Sequence, residues 1–240
     1  ACLIAEKLGL DTTPAFDVAA GCTGFIYALT IGSQFIVNRF YRNVLVIGAE
    51  VLSKVTNWTD RETCILLADG AGAVVLRPVA ADRGILAMKL GADGAGGKEL
   101  SLPAGGSRMP LTAEGLAANL NKLHMNGSTV FKFAMRILPE VTGQALELAG
   151  LKPEDVALFV PHQANLRIIE AAARRMELPL EKFMVNIDRY GNTSSASIPI
   201  ALHEALETGR IQPGDVLALT GFGAGLTWGA VVLRWVGQDS

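Results

Sequence analysis

The chain has 240 residues, half of them apolar, and a formal net charge of −2. That length and apolar content can bury a core spread over one or two globular domains, and the near-neutral balance supplies no overall field for holding nucleic acid or an anionic membrane surface. Three scattered cysteines, Cys2, Cys22 and Cys64, fit neither a disulfide framework nor a zinc site, which points to a reducing compartment and a cytoplasmic protein. The most apolar stretch, 24–37, is interrupted by Thr30, Gly32, Ser33 and Gln34 and is too short to span a bilayer. The first residues lack the pattern of a signal peptide.

In chain order, a strand over 15–18 reaches a turn at Gly21-Cys22, a helix follows to about 39, and strands follow over 44–48 and 73–77. The glycine-rich region 91–106 reads as a surface excursion. A helix from about 130, a strand over 156–160 and a helix from about 166 come next. A strand over 183–186 then reaches a turn at Gly191-Asn192, followed by a helix to about 207 and strands over 216–220 and 230–234. The later series repeats the earlier one at a spacing of about 170 residues, so the chain is read as a duplicated α/β fold. Runs rich in Val, Leu and Ala on both faces predict mixed, mainly parallel sheets with helices layered on them. Three segments result: 1–90, the remainder of a first half carrying a nucleophile; 91–126, a connecting excursion; and 127–240, a second half carrying a histidine and an asparagine. The first half opens inside the helix that precedes the second half's turn, so roughly forty further residues are expected ahead of residue 1.

Cys22 lies in Ala20-Gly21-Cys22-Thr23-Gly24, between a buried strand and a helix start. Unpaired N–H groups and the positive end of the helix dipole favour a thiolate there, and the flanking glycines allow close substrate approach. Cys2 and Cys64 lack such a setting and read as structural, as do His124 and His203. His162 follows an apolar strand in Pro161-His162-Gln163-Ala164-Asn165, where a strand end can project an imidazole into a central crevice. Asn192, in Tyr190-Gly191-Asn192-Thr193-Ser194, could serve only as a turn residue or helix cap, but its position in the duplication sets it opposite Cys22. The loop Gly221-Phe222-Gly223-Ala224-Gly225 is followed by a strand and not by the helix of a dinucleotide fingerprint, so exposed N–H groups for an oxyanion fit it better.

Taken together, Gly21-Cys22-Thr23-Gly24, the Pro161 to Asn165 run, the Tyr190 to Ser194 run and Gly221 to Gly229 resemble the signatures of β-ketoacyl-[acyl carrier protein] synthase III, a thiolase-fold condensing enzyme. The resemblance implies a decarboxylating condensation of an acyl-CoA primer with malonyl-[acyl carrier protein], with Cys22, His162 and Asn192 catalytic and the N–H groups of Cys22 and Ala224 forming an oxyanion hole. It assigns coenzyme A or its phosphopantetheine arm to Arg61, Gly127, Ser128, Phe131, Ala164 and Asn165, and an acidic carrier protein to Lys132, Arg167, Arg174 and Arg175. It implies a homodimer with no metal and no cofactor, coenzyme A thioester being a substrate. Related enzymes fit less well. A biosynthetic thiolase uses a second cysteine near its C-terminus and none follows Cys64, elongating synthases place a histidine where Asn192 stands, and chalcone-type synthases carry proline where Ala224 is. Hydroxymethylglutaryl-CoA synthase, which draws a glutamate from its first half, stays open, as does an inactive fragment or binding subunit.

Overall fold

The computed structural model describes residues 1–237. The first half consists of α1 (Cys2–Lys7), α2 (Gly24–Val37), β1 (Val44–Glu50), the single-turn α3 (Arg61–Cys64) and β2 (Gly70–Leu76). Then follow β3 (Gly84–Ala92), β4 (Leu100–Ser101), α4 (Ala113–Ala117), β5 (His124–Met125) and the long α5 (Gly127–Leu148). The chain ends through β6 (Leu158–Pro161), α6 (Leu166–Arg175), α7 (Ile187–Tyr190), α8 (Ser197–Glu207), β7 (Val216–Gly223) and β8 (Thr227–Arg234).

Two sheets enclose a helical layer. β1 and β2 pair antiparallel, and the second sheet runs in the order β3-β8-β7-β6. All eight residues of β7 are buried, as expected of an inner strand with neighbours on both edges and helices on both faces. Between the sheets lie α2 and α8, whose sequences are apolar on most faces because both sides are covered. Phe25, Ile26 and Leu29 of α2 meet Ile198, Ala201 and Leu202 of α8, with Val46 of β1 on one side and Leu217, Leu219 and Val231 of the second sheet on the other. The amphipathic α5, capped by the Asn126 side chain at its first turn, covers the outer face of the second sheet together with α6. On the first sheet's outer face, Leu45 and Val75 stay exposed.

The expected helices and most strands are present, with four differences. Residues 15–18 form no ladder, and 183–186 make only a single parallel bridge, Phe183 to Phe159. Their apolar patterning is that of a strand, but a strand requires a partner along its length. The sheets are mixed as expected, yet β6–β7 is the one parallel ladder among the named strands, because β1–β2 and β7–β8 are neighbours of opposite direction. β3 was not expected; it pairs with β8, so the boundary drawn at 90 cuts through a strand of the second sheet. Finally, a 3-10 turn opens each central helix, Gly21–Thr23 before α2 and Ser194–Ala196 before α8. On that frame the counterpart of Cys22 is Ser195, three residues beyond Asn192.

The close approach of β1 to the second of these turns has a testable consequence. A Cβ on Gly48 would lie 2.5 Å from the Ser195 carbonyl oxygen, whereas one on Gly143 in α5 meets nothing within 4 Å. Gly48→Ala is expected to lower unfolding free energy by about 1–3 kcal/mol. Gly143→Ala should raise it by up to about 1 kcal/mol. Denaturant midpoints of the two variants should therefore move in opposite directions.

Candidate active site

Cys22 stands in the 3-10 turn that runs directly into α2. Gly21 adopts φ +53, a conformation that glycine takes without strain. The Thr23 and Thr227 hydroxyls meet at 2.7 Å and lie 2.6 and 3.0 Å from the Ala20 carbonyl, which pins the turn to the loop after β7. That loop comes very close: a Cβ on Gly223 would sit 2.7 Å from the Cys22 nitrogen, and one on Gly21 would sit 3.1 Å from the Ala224 nitrogen. Only glycines permit this approach, which aims the N–H groups of Cys22 and Ala224 at the sulfur.

The thiol pKa is nevertheless raised. Burial is the largest cause; a hydrogen bond from Ser194 opposes it, the Glu50 carboxylate adds to it, and the two backbone N–H groups oppose it again. Desolvation therefore outweighs these donors and pushes the Cys22 thiol pKa above its ordinary value.

His162 follows β6 and is 1% exposed, more enclosed than a residue projecting into an open crevice. Its backbone N–H donates to Thr220 O at 2.7 Å, and its ring packs edge-on against Phe222 with centroids 5.5 Å apart. Burial lowers its pKa to about 4, so the imidazole is neutral at neutral pH. Its Nδ1 lies 2.6 Å from Ser197 Oγ, which also accepts the Gln163 N–H at 3.3 Å. In the tautomer in which Ser197 donates its proton to Nδ1, Nε2 carries the ring proton.

Asn192 is held by two backbone bonds, Asn192 N to Leu66 O at 2.8 Å and Ala68 N to Asn192 O at 2.9 Å. Its Oδ1 accepts the Ser194 N–H at 2.9 Å, so the amide nitrogen is the end turned outward as donor. Ser197, three residues after Ser194, holds His162. The turn that begins at Ser194 also packs against the turn bearing Cys22, and so brings the three candidate residues together.

The other candidates fall into two groups. Phe131, Ala164 and Ala224 border one apolar cluster with Phe222 and Leu100, beside the first turn of α5 that begins with Gly127 and Ser128. Asn165 caps α6 through its side chain, accepting the Arg167 N–H at 2.9 Å, a structural task that accounts for its presence. Arg61, Lys132, Arg167, Arg174 and Arg175 are all exposed. Lys132 lies in the second turn of α5 and Arg167 in the first turn of α6, which packs against it, while Arg174 and Arg175 lie at the far end of α6, where they also complement its dipole. Sequence reasoning missed Glu50, Ser194, Ser195, Ser197 and Phe222 as functional neighbours. Ser194 ends a quoted signature and Ser195 and Ser197 lie just past it, but nothing in a run of small polar residues distinguishes a turn former from a residue that orients an imidazole.

Comparison with known proteins finds relatives over nearly the whole chain. Residues 16–94 match the model of 3-oxoacyl-[acyl-carrier-protein] synthase III, and 146–235 match that of the same synthase's C-terminal part. The chain is 54% identical over 235 residues to the β-ketoacyl-[acyl-carrier-protein] synthase III of Symbiobacterium thermophilum, a match covering 98% of this chain and 71% of the relative. It is 52% identical, with the same coverage, to the synthase III of Caldanaerobacter subterraneus. The crystal structure of 3-oxoacyl-[acyl-carrier-protein] synthase III from Aquifex aeolicus superposes with a TM-score of 0.89 at 47% identity, covering 98% of this chain and 71% of that one.

The neutral imidazole makes stability depend on pH. Because His162 resists protonation when folded, the unfolded chain binds the extra proton, and stability is full above about pH 6.5 and falls as pH drops toward 4. The loss attributable to His162 is on the order of 3 kcal/mol. Denaturant titrations between pH 7 and 4 should show a shallower fall in His162→Gln than in the unaltered protein.

Proposed function

The chain belongs to the 3-oxoacyl-[acyl-carrier-protein] synthase III family, and we propose that Cys22, His162 and Asn192 carry out that family's reaction in it. The reaction joins an acyl-CoA primer to malonyl-[acyl carrier protein] with loss of carbon dioxide and starts fatty acid synthesis. The observation that supports the residue assignment is the 194–197 turn, which packs against the turn bearing Cys22 and hydrogen-bonds to the asparagine carboxamide and the histidine ring.

In the first half-reaction the Cys22 sulfur attacks the primer thioester, and coenzyme A leaves. The tetrahedral oxyanion fits the N–H groups of Cys22 and Ala224, already fixed by the glycine contacts. In the second, malonyl thioester enters and its carbonyl accepts hydrogen bonds from His162 Nε2 and the Asn192 amide, which stabilise the enolate as carbon dioxide departs. Decarboxylation generates the carbanion without removal of a proton. The site therefore needs donors and not a base, which suits a histidine kept neutral and an asparagine whose oxygen is already occupied. The carbanion then displaces the acyl group from sulfur. The chemistry calls for no resident cofactor, coenzyme A thioester being a substrate.

For the phosphopantetheine arm the reading keeps Gly127, Ser128, Phe131 and Ala164 along the cluster beside Ala224, with Asn165 at its edge and Arg61 for the nucleotide. The acidic carrier protein docks on Lys132 and Arg167, with Arg174 and Arg175 extending the same basic strip. A cytoplasmic setting is supported by three free cysteines, one of them the nucleophile. A homodimer is supported by large apolar side chains left on the surface, Phe16, Phe40 and Trp58 among them.

Incubation with radiolabelled acetyl-CoA separates the two half-reactions. Cys22→Ala should take no label. His162→Ala and Asn192→Ala should take label normally, yet condense with malonyl-[acyl carrier protein] about a hundred- to a thousand-fold more slowly. Failure of either variant to acylate would contradict its place in the second half-reaction.

A further inference from the structure

A neutral imidazole can donate through Nε2 in only one of its two tautomers, so whatever selects the tautomer governs the donor role given to His162. Ser197 is placed to select it. It is the first residue of α8 and 2% exposed, and its Oγ stands 2.6 Å from His162 Nδ1. The Gln163 N–H donates to the same oxygen at 3.3 Å. Gln163 is itself fixed: its amide nitrogen donates to Pro161 O at 2.8 Å and to Met184 O at 3.0 Å, and its amide oxygen accepts the Asn186 N–H at 3.0 Å. The His162 backbone is fixed as well, through its N–H to Thr220 O. The serine–histidine contact is thus set by the ends of β6 and β7 and the start of α8.

The protons at this contact can be counted. A hydroxyl has one proton to give, and Nδ1 is the one acceptor that the described residues offer Ser197. Were the ring proton on Nδ1, it would point at Ser197 Oγ, and the serine's own proton would have no acceptor in a place closed to water. With the serine donating, the Gln163 N–H, the Ser197 O–H and Nδ1 are all satisfied in one chain, and the ring proton stands on Nε2. A half-turn of the ring would bring a carbon to Oγ and strand the same hydroxyl proton, so the contact fixes the ring's orientation too. We propose that Ser197 is a positioning residue for the condensation half-reaction, holding His162 in the Nε2–H tautomer that donates to the malonyl thioester carbonyl. It acts through the imidazole and does not touch the substrate.

The inference rests on His162 serving as a donor and adds what makes it one. In the other tautomer Nε2 would set its lone pair against those of the thioester oxygen, and the hydrogen bond would be lost. Acylation has no such requirement, because its oxyanion meets the N–H groups of Cys22 and Ala224. Loss of the Ser197 hydroxyl therefore falls mainly on condensation.

Two readouts test it together. Nitrogen-15 spectra of histidine-labelled protein, with the His162 signals identified by their loss in His162→Gln, show which ring nitrogen carries the proton. Acetyl label on Cys22 and condensation with malonyl-[acyl carrier protein] give the two half-reactions. In the unaltered protein the proton should lie on Nε2 alone. Ser197→Ala should show both tautomers and condense at least about ten-fold more slowly, while its acylation falls less than about three-fold. Ser197→Thr, which keeps the hydroxyl, should restore the single tautomer and most of the condensation rate. A ring proton on Nδ1 in the unaltered protein overturns the proposal, as does a Ser197→Ala variant that keeps the Nε2–H tautomer alone or slows both half-reactions equally. Should Ser197→Ala not fold, the unaltered spectrum decides by itself. A bare Nδ1 shifted upfield by an accepted hydrogen bond supports the proposal, and a protonated or unshifted Nδ1 overturns it. Normal condensation by His162→Ala would instead remove the donor reading, and the positioning role with it, whatever the spectra show.

Discussion

The structure depends on one contact made without side chains, where the end of β7 presses its glycines against the turn that carries Cys22. Gly223 faces the Cys22 nitrogen and Gly21 faces the Ala224 nitrogen at distances that leave no room for a Cβ. This contact brings the backbones of two halves of a duplicated chain together, and it places two N–H groups on one sulfur. The central helices α2 and α8 fix where it occurs, since their buried packing between the sheets sets the height of both turns. Thr23 and Thr227 then lock the two backbones through the shared Ala20 carbonyl.

The electrostatics of the site follow from enclosure. Burial that neutralises His162 also raises the thiol of Cys22, so the site begins without charge on either group. For the imidazole this is an advantage, since a neutral ring in the tautomer that carries its proton on Nε2 can donate to an enolate with little reorganisation. For the thiol it is a cost, because the sulfur reacts as an anion. The helix-start dipole and the two N–H groups recover part of that cost, and the carboxylate of Glu50 braces the neighbouring turn by accepting from Ser194 and Ser195.

Much of the architecture was legible in the chain because it is written twice. The repeated order of turn, helix and two strands identified the central layer, and the glycine-flanked cysteine marked the start of a central helix. What escaped depended on partners distant in sequence. An apolar run at 15–18 has a strand's pattern but no ladder, and Gly84–Ala92 forms an edge strand only because β8 lies beside it. Counting from the glycine turns set Asn192 opposite Cys22, whereas the 3-10 turns show Ser195 in that place. Asn192 reaches the site through its hydrogen bonds to 66–68 and Ser194, which no periodicity could reveal. Ser197 and Glu50 were silent for a related reason: their roles come from the distant partners they hydrogen-bond and not from residue type.

The central claim is that two halves of the chain converge on one thioester-sized hollow around the Cys22 sulfur. A crystal structure of the protein acetylated on Cys22 tests it most directly. The acetyl oxygen should lie about 3 Å from the N–H groups of Cys22 and Ala224, with His162 Nε2 and the Asn192 amide facing the open side of the acetyl group. An acetyl oxygen turned away from both N–H groups, or a His162 ring whose Nε2 points away from the hollow, would contradict it.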